Sequence, residues 1–235
     1  MIRSSLFAAA FAGIAMPALA QQNEVYIEQS GVGNQLMIDQ SEAENSRVGG
    51  LTIGRVLGAT TASSRRGTIL TNFLHIDVPT SQTALQSGGN NEATVTILGG
   101  GPASSQINDV GLVQTGIGNT ANVNADGSGL LGSVAQAGLN NDATLDLFGN
   151  GSTGSVLQVG IGNNANLSVS GGNEGFIGQF GSNNDSGTVV VDGVGTSVTV
   201  IQAGNNLAPV NGQGVSVISN AASVTITQTG FGTGN

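Results

Sequence analysis

Catalysis needs side chains that exchange a proton, attack a carbon or hold a metal, and this 235-residue chain has few of them. It contains no cysteine and one histidine, His75; its five basic residues are Arg3, Arg47, Arg55, Arg65 and Arg66, so lysine is absent. A nucleophilic triad would have to bring a serine and an acid to His75, and no nucleophile motif accompanies that residue. Paired carboxylates could serve a glycosidase, but acids such as Asp142 and Asp185 stand at positions expected to face water. Turns such as Gly116-Ile117-Gly118-Asn119 resemble phosphate-binding loops in composition, yet an alternating strand follows where a helix would be required. Asp126, Asp146 and Asp192 do not recur at the spacing of calcium-binding solenoids. The expectation is a protein that is not an enzyme and uses no metal or cofactor.

The side chains whose spacing is regular are amides. A glutamine followed two residues later by glycine occurs at Gln29, Gln86, Gln114, Gln136, Gln158, Gln179, Gln202 and Gln228, in steps of 57, 28, 22, 22, 21, 23 and 26 residues. Five positions after the glutamine stands an asparagine: Asn34, Asn91, Asn119, Asn141, Asn163 and Asn184. The seventh repeat reads as one residue short, which puts Asn206 in that role. Amides both donate and accept, so identical amides one repeat apart can hydrogen-bond in a continuous ladder. Their chemistry is cohesion.

Such a ladder needs elements that stack. On each side of the glutamine, apolar residues recur with a period of two, as in Val110 and Leu112, Val123 and Ala125, or Leu145 and Leu147, and the same count places Thr188 and Val190 inward in the sixth repeat. Serine, threonine, asparagine and acids fill most intervening positions, the pattern of half-buried strands. Glycine and asparagine between the strands tolerate the positive φ of a sharp arch. One strand–turn–strand unit cannot bury its apolar side alone, whereas stacked units can. The fold expected is all-β: a parallel two-sheet β-solenoid of about seven to eight strand–turn–strand repeats of ~22 residues.

The pattern Gln-x-Gly-x-x-Asn-x-Ala, clearest in Gln114 to Ala121, Gln136 to Ala143 and Gln158 to Ala165, resembles the curlin repeat of bacterial curli fibre subunits. The resemblance covers residues 23–40 and 81–235. It departs in two ways. Curlin repeats usually carry a serine six residues before the glutamine, where this chain has Asn23, Thr80, Asn108, Leu130, Ser152, Asn173, Thr196 and Ala222. Their second glutamine survives only as Gln40, and aliphatic residues such as Ile97, Leu147 and Val169 replace it elsewhere. The resemblance implies a structural subunit of an amyloid-like fibre of the biofilm matrix. It would be exported, passed through an outer-membrane pore, and nucleated at the bacterial cell surface, with its own copies and a related subunit or nucleator as partners.

Composition bounds the rest. Residues 1–20 read as a secretory signal, with Arg3, an apolar run from Leu6 to Ala15 and the cleavage pattern Ala18-Leu19-Ala20. Residues 21–40 hold the first repeat, 41–80 an irregular insertion, and 81–235 the repeat array. Fourteen acids against five arginines give a net charge of -9, which disfavours phosphate backbones and excludes nucleic acid as the expected partner. No disulfide can staple the fold. The alternative reading is a monomeric β-solenoid adhesin or ice- or surface-binding protein; an ice-binding face would need threonines aligned on one flat side of successive rungs. Thr94 and Thr96 form such a pair, but Asn122 and Asn124 follow them.

Overall fold

The computed structural model describes residues 23–49, 84–101 and 107–231. In chain order the strands are β1 (Glu24–Val25), β2 (Ile27–Val32), β3 (Gln35–Glu44), β4 (Ser46–Gly49), β5 (Ala84–Gly89) and β6 (Glu92–Gly100). There follow β7 (Asn108–Ile117), β8 (Thr120–Ser128), β9 (Leu131–Leu139), β10 (Asp142–Asn150), β11 (Thr153–Ile161) and β12 (Asn164–Val169). The last are β13 (Glu174–Ser182), β14 (Asp185–Val194), β15 (Ser197–Asn205), β16 (Gly214–Asn220) and β17 (Ser223–Phe231). A 3-10 turn, Val210–Gly212, precedes β16.

The strands alternate between two sheets, and every pairing is parallel. The first sheet carries the glutamines in the order β1-β4-β7-β9-β11-β13-β15-β17, with β2 and β5 completing its first two rungs. The second runs β16-β14-β12-β10-β8-β6-β3. This is the expected two-sheet β-solenoid, with about seven turns of ~23 residues. Glutamine pairs with glutamine in every rung, as Gln114↔Gln136 and Gln158↔Gln179 show. The core lies between the sheets, where Val95, Ile97, Leu112, Val123, Val134, Leu145, Leu147, Val156, Leu167 and Ile177 are wholly buried. Inward glycines in the first sheet face large leucines in the second. A Cβ on Gly154 would stand 2.6 Å from Leu145 Cδ1 and 2.7 Å from Leu147 Cδ2, so the pair shares one volume.

The long first step has a simple origin. Gln29 lies directly beneath Gln86 although 57 residues separate them. β4 and β5 are two halves of one rung: Gly49 pairs with Gly111 and Leu85 with Val113, which leaves Ala84 opposite Leu112. Residues 50–83, 34 in number, therefore leave and re-enter at one point within a strand, and removing them restores a step of 23. The stretch expected as an insertion over 41–80 thus contributes its start to the solenoid, in the end of β3 and in β4. The expected signal and the remainder of that stretch, with Arg55, Arg65, Arg66, His75 and Thr80, lie outside the described residues.

One expected face assignment is reversed. A simple period of two placed Thr188 and Val190 inward in β14. Val189 and Val191 are the buried pair, because the register slips between Asn164 and Asn166 of β12 and admits one extra residue opposite. The bulge centres on Ser186 and Gly187, with Gly187 at φ +61. One added residue exchanges the two faces of all that follows in the strand.

Candidate functional site: two amide ladders

The site is the pair of amide columns at the arch joining the sheets. Gln86, Gln114, Gln136, Gln158, Gln179 and Gln202 are at most 1% exposed. Each Nε2 donates to the Oε1 of the next glutamine toward the C-terminal end. The distances are 2.5 Å from Gln29 to Gln86, 2.7 Å to Gln114, and 2.9 Å each to Gln136, Gln158 and Gln179. The column closes with 2.8 Å to Gln202 and 2.7 Å to Gln228. The other amide hydrogen goes to a backbone carbonyl across the arch, as from Gln136 to Thr120 O and from Gln158 to Asp142 O, both 2.7 Å. Every buried amide is thereby satisfied, and each glutamine ties the first sheet to the opening residue of a second-sheet strand.

The asparagine column runs the other way. Asn91 Nδ2 donates back to Asn34 Oδ1 at 3.1 Å, and Asn119, Asn141 and Asn163 each donate back at 3.0 Å. The same Oδ1 also accepts the next asparagine's backbone N–H, as from Asn141 N to Asn119 Oδ1 at 3.1 Å. The remaining hydrogen caps a turn carbonyl one rung ahead, for instance Gly138 O from Asn119. Asn184 continues the column through its backbone N–H to Asn163 Oδ1.

Asn206 does not belong to this ladder. Leu207 takes the place in register, its N–H donating to Asn184 Oδ1 at 3.1 Å. Asn206 is exposed, at φ 54, in the column of Gly118, Asn140, Gly162 and Asn183, all left-handed residues four after the glutamine. The seventh repeat is therefore not short: an asparagine fills the left-handed turn position, and a leucine follows where the ladder residue would be. The chain then leaves the sheet over 207–213 and resumes at β16, which lengthens the last step to 26 residues.

The glycine two after each glutamine answers to close approach. Gly138 and Gly160 have φ +127 and +132, and a Cβ on either would stand 1.9 or 1.8 Å from the carbonyl oxygen of the next glycine in the column. Backbones one rung apart meet there, and no side chain fits.

A third polar column, at the opposite arch, was legible only as a departure from the curlin serine. Asn23 Oδ1 accepts Ser46 N at 3.0 Å, Asn108 Oδ1 accepts Leu130 N at 3.0 Å, and Asn173 Oδ1 accepts Thr196 N at 2.7 Å. Asn108 Nδ2 also donates to Gly127 O at 2.9 Å, as Asn173 Nδ2 does to Gly193 O at 3.1 Å. Ser46 occupies the rung position that was assigned to Thr80. The signal available was the recurrence of a polar residue six before the glutamine.

Among the described residues no group of three or more potential metal ligands converges. Partial burial raises the carboxyls of Asp142 and Asp146 above the usual range. Hydrogen bonds from Ser41 to Asp39, and from Ser170 and the Gly193 N–H to Asp192, hold those two below it. The arrangement binds strand to strand. Fold and site together define a two-sheet parallel β-solenoid held by internal amide ladders. No family model, no curated protein and no solved structure matches the chain.

Proposed function

We propose that this chain is the structural subunit of an extracellular, amyloid-like fibre of the curli type, growing by end-to-end strand pairing for biofilm matrix and surface adhesion. One observation carries the reading: both sheets and the glutamine ladder end on edges that no described strand covers. β1, β2 and β3 form one end, and β16 and β17 the other. Val25, Tyr26 and Ile27 are 43 to 48% exposed at the first end, and Ile218 is 73% exposed at the second. Uncovered edges recruit further strands.

The ladder supplies a register for the junction. Gln29 donates upward and leaves its Oε1 as the terminal acceptor, while Gln228 Nε2 is the last donor. A second copy stacked in the same sense would continue the column, Gln228 onto Gln29, with Ile226 meeting Ile27. The resemblance to curlin repeats supports the cell-surface setting, with an export pore and a related subunit or nucleator as partners. The test is thioflavin-T fluorescence and electron microscopy on the purified chain from Gln21. Unbranched, dye-binding fibres with a meridional reflection near ~4.8 Å are expected. A monodisperse, dye-silent monomer after days would overturn the proposal in favour of a monomeric surface-binding solenoid.

A further inference from the structure

The outer faces of the two sheets differ, although the architecture is the same. In the second sheet, β8 and β10 alternate buried inward residues with wetter outward ones. In the first sheet the alternation fails: β7, β9, β11 and β13 each contain an unbroken run of buried residues. The outward members of those runs form a separate apolar cluster. Val113, Ala135, Leu157 and Phe176 are 4 to 6% exposed, with Leu85, Val159, Phe180 and Ile201 packed against them. Outward Ser133 and Ser155 are buried beside them. A sheet facing water does not bury its outward valines and serines, and no described strand or turn lies on that face.

We infer that the outer face of the first sheet, over β7 to β15, is a docking surface for residues 50–83 of the same chain. Four observations choose this occupant. The segment departs after Gly49 and returns at Ala84, inside a rung of this sheet, beside the cluster. Its length suffices: five rungs from that point to β15 span about 24 Å, whereas 34 residues extend to roughly 110 Å. Its charge is complementary, since Arg55, Arg65 and Arg66 outnumber its one acid, Asp77, while the outward columns of this sheet carry Glu28, Glu174 and an Asp109 paired with Arg47, a net negative charge. It also brings Leu51, Ile53, Val56, Leu57, Ile69 and Phe73 to an apolar strip. Docking converts a long insertion into a third layer over one wall of the solenoid. The inference does not depend on fibre formation.

The absence of native cysteine allows a direct test on the dilute, unassembled chain. An Ala135→Cys thiol is expected to react with a disulfide reagent at least about tenfold more slowly in the full chain than in a chain joined Gly49 to Ala84. A Thr144→Cys thiol, on the outer face of the second sheet, should react equally in both. Equal rates at position 135 would overturn the inference. Should the shortened chain fail to fold, a photo-crosslinker at position 135 of the full chain decides. Crosslinked peptides from 50–83 within one molecule support the inference, and crosslinks only to a second copy, or none, refute it. Loss of fibres alone bears on the assembly proposal, not on this one.

Discussion

Breaking the glutamine ladder once and breaking it twice should differ by an amount that depends on where the breaks fall. Replacing one buried glutamine by leucine fills the volume but removes both a donor and an acceptor: the next rung's Oε1 loses its side-chain partner, while the preceding rung's Nε2 keeps backbone acceptors, as Gln136 Nε2 does in Thr120 O and Asn141 O. For Gln158→Leu that orphan is Gln179 Oε1, which Gln158 Nε2 reaches at 2.9 Å. A stranded buried acceptor costs about 2 kcal/mol, and the lost bond to a backbone carbonyl about 1 kcal/mol more, so one break costs about 3 kcal/mol. In the adjacent pair Gln136→Leu with Gln158→Leu, the first break's orphan is itself removed. One acceptor and two carbonyl bonds are lost, about 4 kcal/mol. In the separated pair Gln114→Leu with Gln179→Leu, both breaks persist, about 6 kcal/mol. The leucines' apolar gain is common to both pairs and drops out. Urea unfolding of the dilute chain reads the difference: at a slope of about 2 kcal/mol per molar, the two midpoints should stand about 1 M apart. Equal destabilisation by the two pairs would show that the glutamines act independently, and the directional ladder would not be what holds them.

Two glycines separate strain from collision. Gly151→Ala, at φ +72 with nothing within 4 Å, should cost about 1 kcal/mol in urea midpoints. Gly160→Ala puts a methyl 1.8 Å from Gly181 O, and hydrogen exchange should show β11 and β13 losing protection together, at a cost above about 4 kcal/mol. The acids give a pH signature. The raised carboxyls of Asp142 and Asp146 contribute stability that is present at low pH and lost as pH rises through their folded values. Asp142→Asn with Asp146→Asn should therefore stabilise the chain at neutrality and add nothing at the acid end, and an equal gain at both ends would sink that assignment. The lowered carboxyls of Asp39 and Asp192 act oppositely, their contribution disappearing as pH falls through their folded values. Wild-type midpoints should accordingly rise on mild acidification and turn down on stronger acidification.

The glutamine, glycine and inward aliphatic columns were legible because each is a same-residue or same-size constraint repeated at a nearly constant step. Gln114, Gln136 and Gln158 could be aligned by eye, and the structure pairs them in register. What the sequence hid were places where a rung keeps its geometry while the count changes. Asn206 looked like a ladder residue because an asparagine suits both a buried amide column and a left-handed turn; only the hydrogen bond from Leu207 N separates the two roles. The bulge at Gly187 was hidden because Thr188 and Val190 satisfy a period of two as well as Val189 and Val191 do. β4 was hidden because four residues are too few for periodicity, and their rung is completed only after 34 intervening residues. The buried outer face of the first sheet could not be read at all, since Val113 and Leu157 look like ordinary outward β-formers until their exposure is known.

The opposed sense of the two amide columns has an electrical consequence. Side-chain amides aligned head to tail would add their dipoles, as peptide groups do along a helix, and each added coil would raise the potential difference between the tips. Here the glutamine rail donates toward the C-terminal tip and the asparagine rail toward the N-terminal tip. Their moments subtract, coil by coil. A stack built this way gains less polarity with each coil than one whose amide columns all pointed the same way.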